Sequence, residues 1–310
     1  MTGSKKRYKY DISIYANFRD EAPYLYEWVV YHLLIGVSHF YLYNHLSKDN
    51  YLEVLQPFIE KGIITLHQHN SVTPPKFINY KKCIKEYKDE TQWIAFIDLD
   101  EYVVVKDNNN NLRSYMEGFE NYNGVGLCWL YYGNNNIQKQ DDRLVFERFP
   151  MREKISNIKT ERLFKTIADP RQIDTNKISN PHYFHYKDGK FVDEKYSEIG
   201  AGAPGAPEDP AFTCTPSYEN AYIAHYKRKS LEEFINRNAL MPRDDGVGPN
   251  QYRHSGSKDE RIKSATKYWH STSHVENEIV DTHLFSFVNQ ITNFDLDEYC
   301  NSKRKENNNF

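Results

Sequence analysis

Residues Trp93-Ile94-Ala95-Phe96-Ile97 form a continuous apolar run that ends abruptly in Asp98-Leu99-Asp100-Glu101. A strand with polar side chains at alternate positions can leave one face in water. A strand apolar at every position needs cover on both faces. Helices flanking a parallel sheet supply that cover, so the run restricts the chain to α/β architectures.

The residues before it agree. Asp11 to Tyr15 predicts a strand, and Asp20 is expected to cap a helix that starts near Pro23 and runs Tyr24 to Ile35. Leu25, Trp28, Val29, His32 and Leu33 share one face of that helix, and Gly36 ends it. Val37 to Tyr43 alternates as a strand, Asn44 to Asn50 is a polar loop, and Tyr51 to Lys61 is amphipathic, with Leu52, Leu55, Phe58 and Ile59 inward and Gly62 closing the helix. Ile63 to His67 is a third strand and Phe77 to Tyr87 a third helix. Strands separated by helices predict βαβ units.

Beyond the run the periodicity weakens. Leu112 to Tyr122 predicts a helix, Val125 to Tyr131 a strand, and Val145 to Phe149 and Arg162 to Ile167 short extended pieces. Ile199 to Pro216 is an irregular loop rich in Gly, Ala and Pro. Ser230 to Leu240 is a helix with a capping box, Ser230 and Glu233. No repeat and no linker interrupts the chain, so residues 1–301 are expected to be one domain. Residues 302–310 are expected to be a polar, disordered tail.

Composition excludes several function classes. The formal net charge of -3 gives no positive field for nucleic acid. A mean hydropathy of -0.80, with no long apolar run, predicts no membrane span. Met1 to Lys9 is polar and basic with no apolar segment behind it, so no signal peptide is expected. Cys83, Cys128, Cys214 and Cys300 form no CxxC pair and are expected as free thiols. With the missing signal, this predicts a cytoplasmic or cytosol-like compartment.

Ligands of open α/β sheets bind beyond the carboxyl ends of the strands, which is where Asp98 and Asp100 fall. Residues i and i+2 of extended chain point the same way, so the two carboxylates are expected to converge. Hard oxygen ligands suit Mn²⁺ or Mg²⁺ holding a diphosphate, although a solvated acidic turn has the same sequence. His225 ends a strand candidate just before the capped helix and is a candidate third ligand, with His182 and His185 as rivals. Lys227, Arg228 and Lys229 follow it and can face a diphosphate or form a solvated face. No Gly-x-Gly-x-x-Gly or Walker pattern follows any strand.

These blocks resemble a known family. Arg19-Asp20-Glu21-Ala22-Pro23, continuing to His32 and then Gly36-Val37, is similar to the opening block of glycosyltransferase family 92 and its bacterial relatives. Tyr43 to Asp49 resembles their nucleotide-binding loop, and Trp93 to Glu101 their DxDE block. Trp129 to Gly133, Phe164-Lys165-Thr166, Ser179 to His182 and His225 to Phe234 resemble further blocks in the same order.

The resemblance implies a GT-A fold, with a mostly parallel central sheet flanked by helices and a mixed C-terminal part. It implies a metal-dependent, inverting transfer from a nucleoside-diphosphate sugar, UDP favoured, to a hydroxyl of a glycan or glycoconjugate. On this chain Asp98, Asp100 and His225 are the expected metal ligands. Ala16, Arg19, Glu21, Asn44, Asp98 and Lys229 are expected around the donor. The family usually has Asp where this chain has Asn44, which weakens the case for uridine. An inverting transfer needs a carboxylate base. Glu208, Asp209, Asp244 and Asp245 are candidates because they lie near loops expected to face the acceptor. A nucleotidyltransferase, and a binding module that kept the fold without turnover, are the alternatives.

Overall fold

A computed structural model describes residues 8–71, 76–106, 110–157, 162–213, 215–242 and 252–308. It opens with the expected alternation: β1 (Tyr10–Phe18), α1 (Ala22–Leu34), β2 (His39–Asn44), α2 (Tyr51–Glu60), β3 (Ile64–Gln68), α3 (Lys76–Tyr87) and β4 (Thr91–Phe96). These four strands lie parallel in the order β3-β2-β1-β4. The two-residue period of β1 divides the core. Ile12, Ile14, Ala16 and Phe18 pack with α1 and α2, while Tyr15 packs with Tyr80, Cys83 and Ile84 of α3 on the other face. The β4 run is covered on both sides, as its apolar sequence requires.

The mixed half contains β5 (Glu101–Val105), α4 (Leu112–Met116), β6 (Gly124–Tyr131), α5 (Val145–Arg148), β7 (Met151–Arg152), β8 (Arg162–Ala168), β9 (Phe191–Asp193), β10 (Phe212–Thr213) and β11 (Ala221–His225). After them come α6 (Leu231–Ile235), α7 (Lys258–Glu276), β12 (Ile279–Val280), α8 (Val288–Thr292) and α9 (Leu296–Asn308). The sheet continues from β4 through β8, β6, β11 and β5 with mixed directions, and β9 and β10 pair with β6 and β8. This is the α/β architecture expected from the sequence. Among the described residues, no helix is long and apolar enough to cross a membrane. Cys83, Cys128 and Cys300 are free thiols, and Cys214 lies outside the described residues.

Several local expectations need correction. Asp20 does not cap α1. It sits at φ +52°, and the Ala22 N–H donates instead to Asp49 Oδ2 at 2.7 Å. Leu52 is exposed while Leu55 and Phe58 are buried, so α2 rests on a narrower stripe than expected. Leu112 to Tyr122 breaks after Met116 into a short 3₁₀ turn, Glu117–Phe119. Val145 to Phe149 is helical at α5, not extended. Residues 302–308 form the second half of α9, within the span expected to be a disordered tail, and residues 309–310 lie outside the described residues. Once Leu296, Tyr299 and Cys300 pack on the core, each further residue adds a backbone hydrogen bond without a new nucleus.

Candidate active site

The strand order reverses between β1 and β4. The chain steps outward through β2 and β3, then returns to the other side of β1. Loops beyond the carboxyl ends of two such strands diverge and open a crevice. A cavity of about 330 Å³ lies there. It is lined by Asn17 at the end of β1, Lys76 and Phe77 at the start of α3, Asp98 to Asp100 after β4, and Trp129, His182, His225, Arg237 and Arg253 from the mixed half.

Asp98 to Glu101 is a turn, not extended chain: the Glu101 N–H donates to the Asp98 carbonyl at 3.1 Å. Both aspartates still line the cavity. The antiparallel pairing of β11 with β5 sets His225 opposite Glu101, and the Tyr226 N–H donates to the Asp100 carbonyl at 2.8 Å. Directly opposed side chains on one sheet face are close neighbours. His225 Nε2 lies 3.5 Å from Asp100 Oδ2. Ligand-capable atoms of Asp100, Glu101 and His225 all fall within 4.8 Å of one another. Glu101 Oε1 and His225 Nδ1 are buried with no hydrogen-bond partner among the described residues. Two carboxylates and an imidazole, one oxygen of the set orphaned, fit a divalent cation such as Mn²⁺ or Mg²⁺.

Asp98 is engaged differently. Lys165 Nζ, on a side chain only 1% exposed, lies 2.7 Å from Asp98 Oδ2 and 3.4 Å from Glu101 Oε2. Lys76 Nζ reaches both Asp98 oxygens, at 3.0 and 3.2 Å. Burial pushes the Asp98 carboxyl up, but Lys165 and Lys76 outweigh it and hold the group well below the usual carboxylate range. At Asp100 burial is likewise outweighed, by the His225 imidazole. At Glu101 burial prevails over Lys165 and the carboxyl is raised. Burial, with Lys165 and Lys76 adding to it, pushes the His182 ring down to about 3. The ring is therefore neutral, and its Nδ1–H donates to the Phe164 carbonyl at 2.9 Å.

A second cavity of about 250 Å³ adjoins the first and shares Glu21, Asp100, Lys227 and Arg237 with it. Tyr24, Lys229, Phe234 and Met241 complete much of its wall. The Lys229 ammonium sits 3.2 Å from the centre of the Tyr24 ring and 4.0 Å from Glu21 Oε2. Arg237 Nε approaches Glu21 Oε1 at 3.8 Å.

The fold thus brings Asp98, Asp100, Glu21 and His225 to the first cavity and Lys229 to the second. It brings neither Ala16, Arg19, Asn44, Glu208 nor Asp209 to these cavities. Ala16 points into the core between the sheet and α1, and Arg19 lines neither cavity. The Asn44 amide is spent on its protein neighbours, donating to Gln68 Oε1 of β3 at 2.7 Å and Tyr51 Oη of α2 at 3.0 Å and accepting from the Ser47 N–H. Glu208 and Asp209 are exposed and line neither cavity. Asp244 and Asp245 lie outside the described residues. Sequence reasoning gave no role to Asn17, Lys76 or Lys165. The signal for Lys165 was a lysine inside the stretch Leu163 to Ile167, whose other residues are apolar except Thr166.

Comparison with known proteins agrees with the blocks. Residues 15–245 match the profile of glycosyltransferase family 92. A family 92 protein of Oryza sativa subsp. japonica is 22% identical over 200 residues, covering 64% of this chain and 32% of that protein. Galactan beta-1,4-galactosyltransferase GALS3 of Arabidopsis thaliana is 27% identical over 219 residues, covering 59% of this chain and 42% of that protein. The chain therefore spans less than half the length of these relatives. Among solved structures, S. aureus TarS 1–349 in complex with UDP-GlcNAc aligns with 93% of this chain and 77% of that one, at 13% identity and a TM-score of 0.39. With three quarters of its length matching that one family, the chain belongs to glycosyltransferase family 92.

Proposed function

We propose that the chain is a metal-dependent, inverting glycosyltransferase that uses a nucleoside-diphosphate sugar, with UDP as the first nucleotide to try. The observation that carries this is the acidic cluster at the switch point, Asp98 to Glu101 with His225, ringed by Lys76, Lys227, Arg237 and Arg253. Carboxylates that can hold a cation, beside positive side chains, suit a diphosphate leaving group. Asp100, Glu101 and His225 would hold the cation, which supplies Lewis-acid stabilisation of the departing diphosphate when bound. Lys227 and Arg237, in the wall between the cavities, neutralise charge that develops on it. Asn17, at the carboxyl end of β1, lines the first cavity, as Asn44 does not, with its amide held by Tyr15 and Asn79.

The acceptor enters through the second cavity. Its hydroxyl oxygen bonds to the anomeric carbon as the carbon–diphosphate bond breaks, and the hydroxyl proton passes to a carboxylate. Asp244 and Asp245 follow Met241 of the second cavity closely in sequence, and we carry them forward as base candidates.

The test is incubation with a panel of sugar nucleotides plus Mn²⁺, starting with a galactosyl donor because of the galactan galactosyltransferase relative. Release of nucleoside diphosphate, abolished in Asp100→Ala with its melting transition intact, is the expected result. Release of pyrophosphate would mark a nucleotidyltransferase. Donor binding without release would mark a binding module.

A further inference from the structure

Asp98, Asp100 and Glu101 place three carboxylates beside the cation site, yet two ammonium groups are already packed among them. Among these five groups at most one net negative charge remains, and Lys227, Arg237 and Arg253 on the same cavity wall reduce it further, a weak attraction for a divalent cation that must shed water to bind. We propose that Lys76 and Lys165 keep the cation affinity of the donor-free site low, so that the ion enters with the donor diphosphate instead of ahead of it. This rests on the reading of the site given above.

The two lysines differ in exposure. Lys165 is buried on β8 between Asp98 and Glu101 and is fixed there. Lys76 is the first residue of α3, lines the cavity, and has a side chain 17% exposed. It is placed to move from Asp98 to a diphosphate oxygen. A diphosphate would therefore add negative charge near the cation and draw one positive charge away from Asp98. Both effects favour the cation. By reciprocity, the cation favours the diphosphate by the same factor. A fixed ammonium a few ångströms from a divalent ion repels it through the product of their charges, so losing one is expected to change affinity about tenfold.

The experiment titrates Mn²⁺ alone against the full chain, following the free-ion electron paramagnetic resonance signal. In parallel, UDP without metal is titrated by calorimetry. Lys76→Met, similar in length but uncharged, should bind Mn²⁺ about tenfold more tightly and metal-free UDP several-fold more weakly. Structural damage would weaken both, so opposite signs identify the electrostatic role. Lys165→Met should tighten Mn²⁺ in the same way and Lys165→Arg should restore the wild-type value. Should Lys165→Met fail to fold, Lys76→Met decides alone. Unchanged or weaker Mn²⁺ binding by Lys76→Met with an intact melting transition overturns the proposal. Failure of the wild type to bind any nucleoside diphosphate would remove the functional reading and with it the coupled entry, and the Mn²⁺ arm would still decide whether the lysines hold cation affinity low.

Discussion

His225 and His182 face one cavity with different commitments. His182 spends its Nδ1–H on the Phe164 carbonyl and is held neutral by burial and two lysines. His225 is aimed at Asp100 by the β5–β11 register, with a ring nitrogen left over. His225→Ala should therefore raise the Mn²⁺ concentration needed for half-maximal nucleotide release at least tenfold. His182→Ala should shift it less than threefold. The reverse order in a Mn²⁺ titration of activity would transfer the ligand role to His182. The residue scale also shows what the sequence could carry. The placement of Asp98, Asp100 and His225 on one cavity was legible because the two aspartates follow, and His225 ends, a strand that its own apolar neighbours announce. The cation pair on Asp98 was not. Lys165 comes from a strand 67 positions away and Lys76 from a helix start, and no local pattern links either to the acidic turn.

At the scale of elements, α5 is the instructive miss. Val145 to Phe149 has strand composition, but five residues are too few for a period to discriminate. Their conformation is set from outside. The Val145 N–H donates to Glu27 of α1, at 3.0 and 2.8 Å to its two oxygens, and the Leu144 N–H donates to Glu147. A carboxylate at a helix start satisfies donors the helix leaves open. Glu27 is nearly fully buried, and burial pushes its carboxyl up to about 7 despite the bonds from Val145. Between the unfolded value near 4.5 and about 7, the folded state retains a proton that the unfolded chain has lost. The contribution of Glu27 is thus fully present below about 4.5 and is lost as pH rises through about 7. Glu27→Gln keeps an acceptor for Val145 and removes the buried charge. Urea denaturation should find it more stable than wild type at pH 8, by on the order of 2 kcal/mol, with the gap closing toward pH 5. A gap independent of pH would mean that Glu27 does not titrate with folding.

For the whole molecule, the line between what was legible and what was not falls at β4. Before it, each strand pairs with a neighbour one crossover away, so local periodicity maps onto sheet order. After it, the sheet runs β8-β6-β11-β5, an order that no local signal encodes. The first cavity lies across this line. Asn17, Lys76 and Asp98 come from the parallel half, and Trp129, His182, His225 and Arg237 from the mixed half. A ligand bound there holds both halves, whereas a ligand confined to one would stabilise that one alone. Binding only the folded state stabilises it by about 2.7 kcal/mol at a hundredfold excess over Kd, so a domain of this size should gain several degrees in melting temperature. We expect UDP with Mn²⁺ to raise a single calorimetric transition as a unit, by more than the sum of the shifts from each alone. Hydrogen exchange should show the added protection in β1 and β4 and equally in β6 and β11. If protection were confined to β1 through β4, or if the transition split on ligand addition, the cavity would belong to an independently folding parallel half. Residues 1–301 would then not be one cooperative unit.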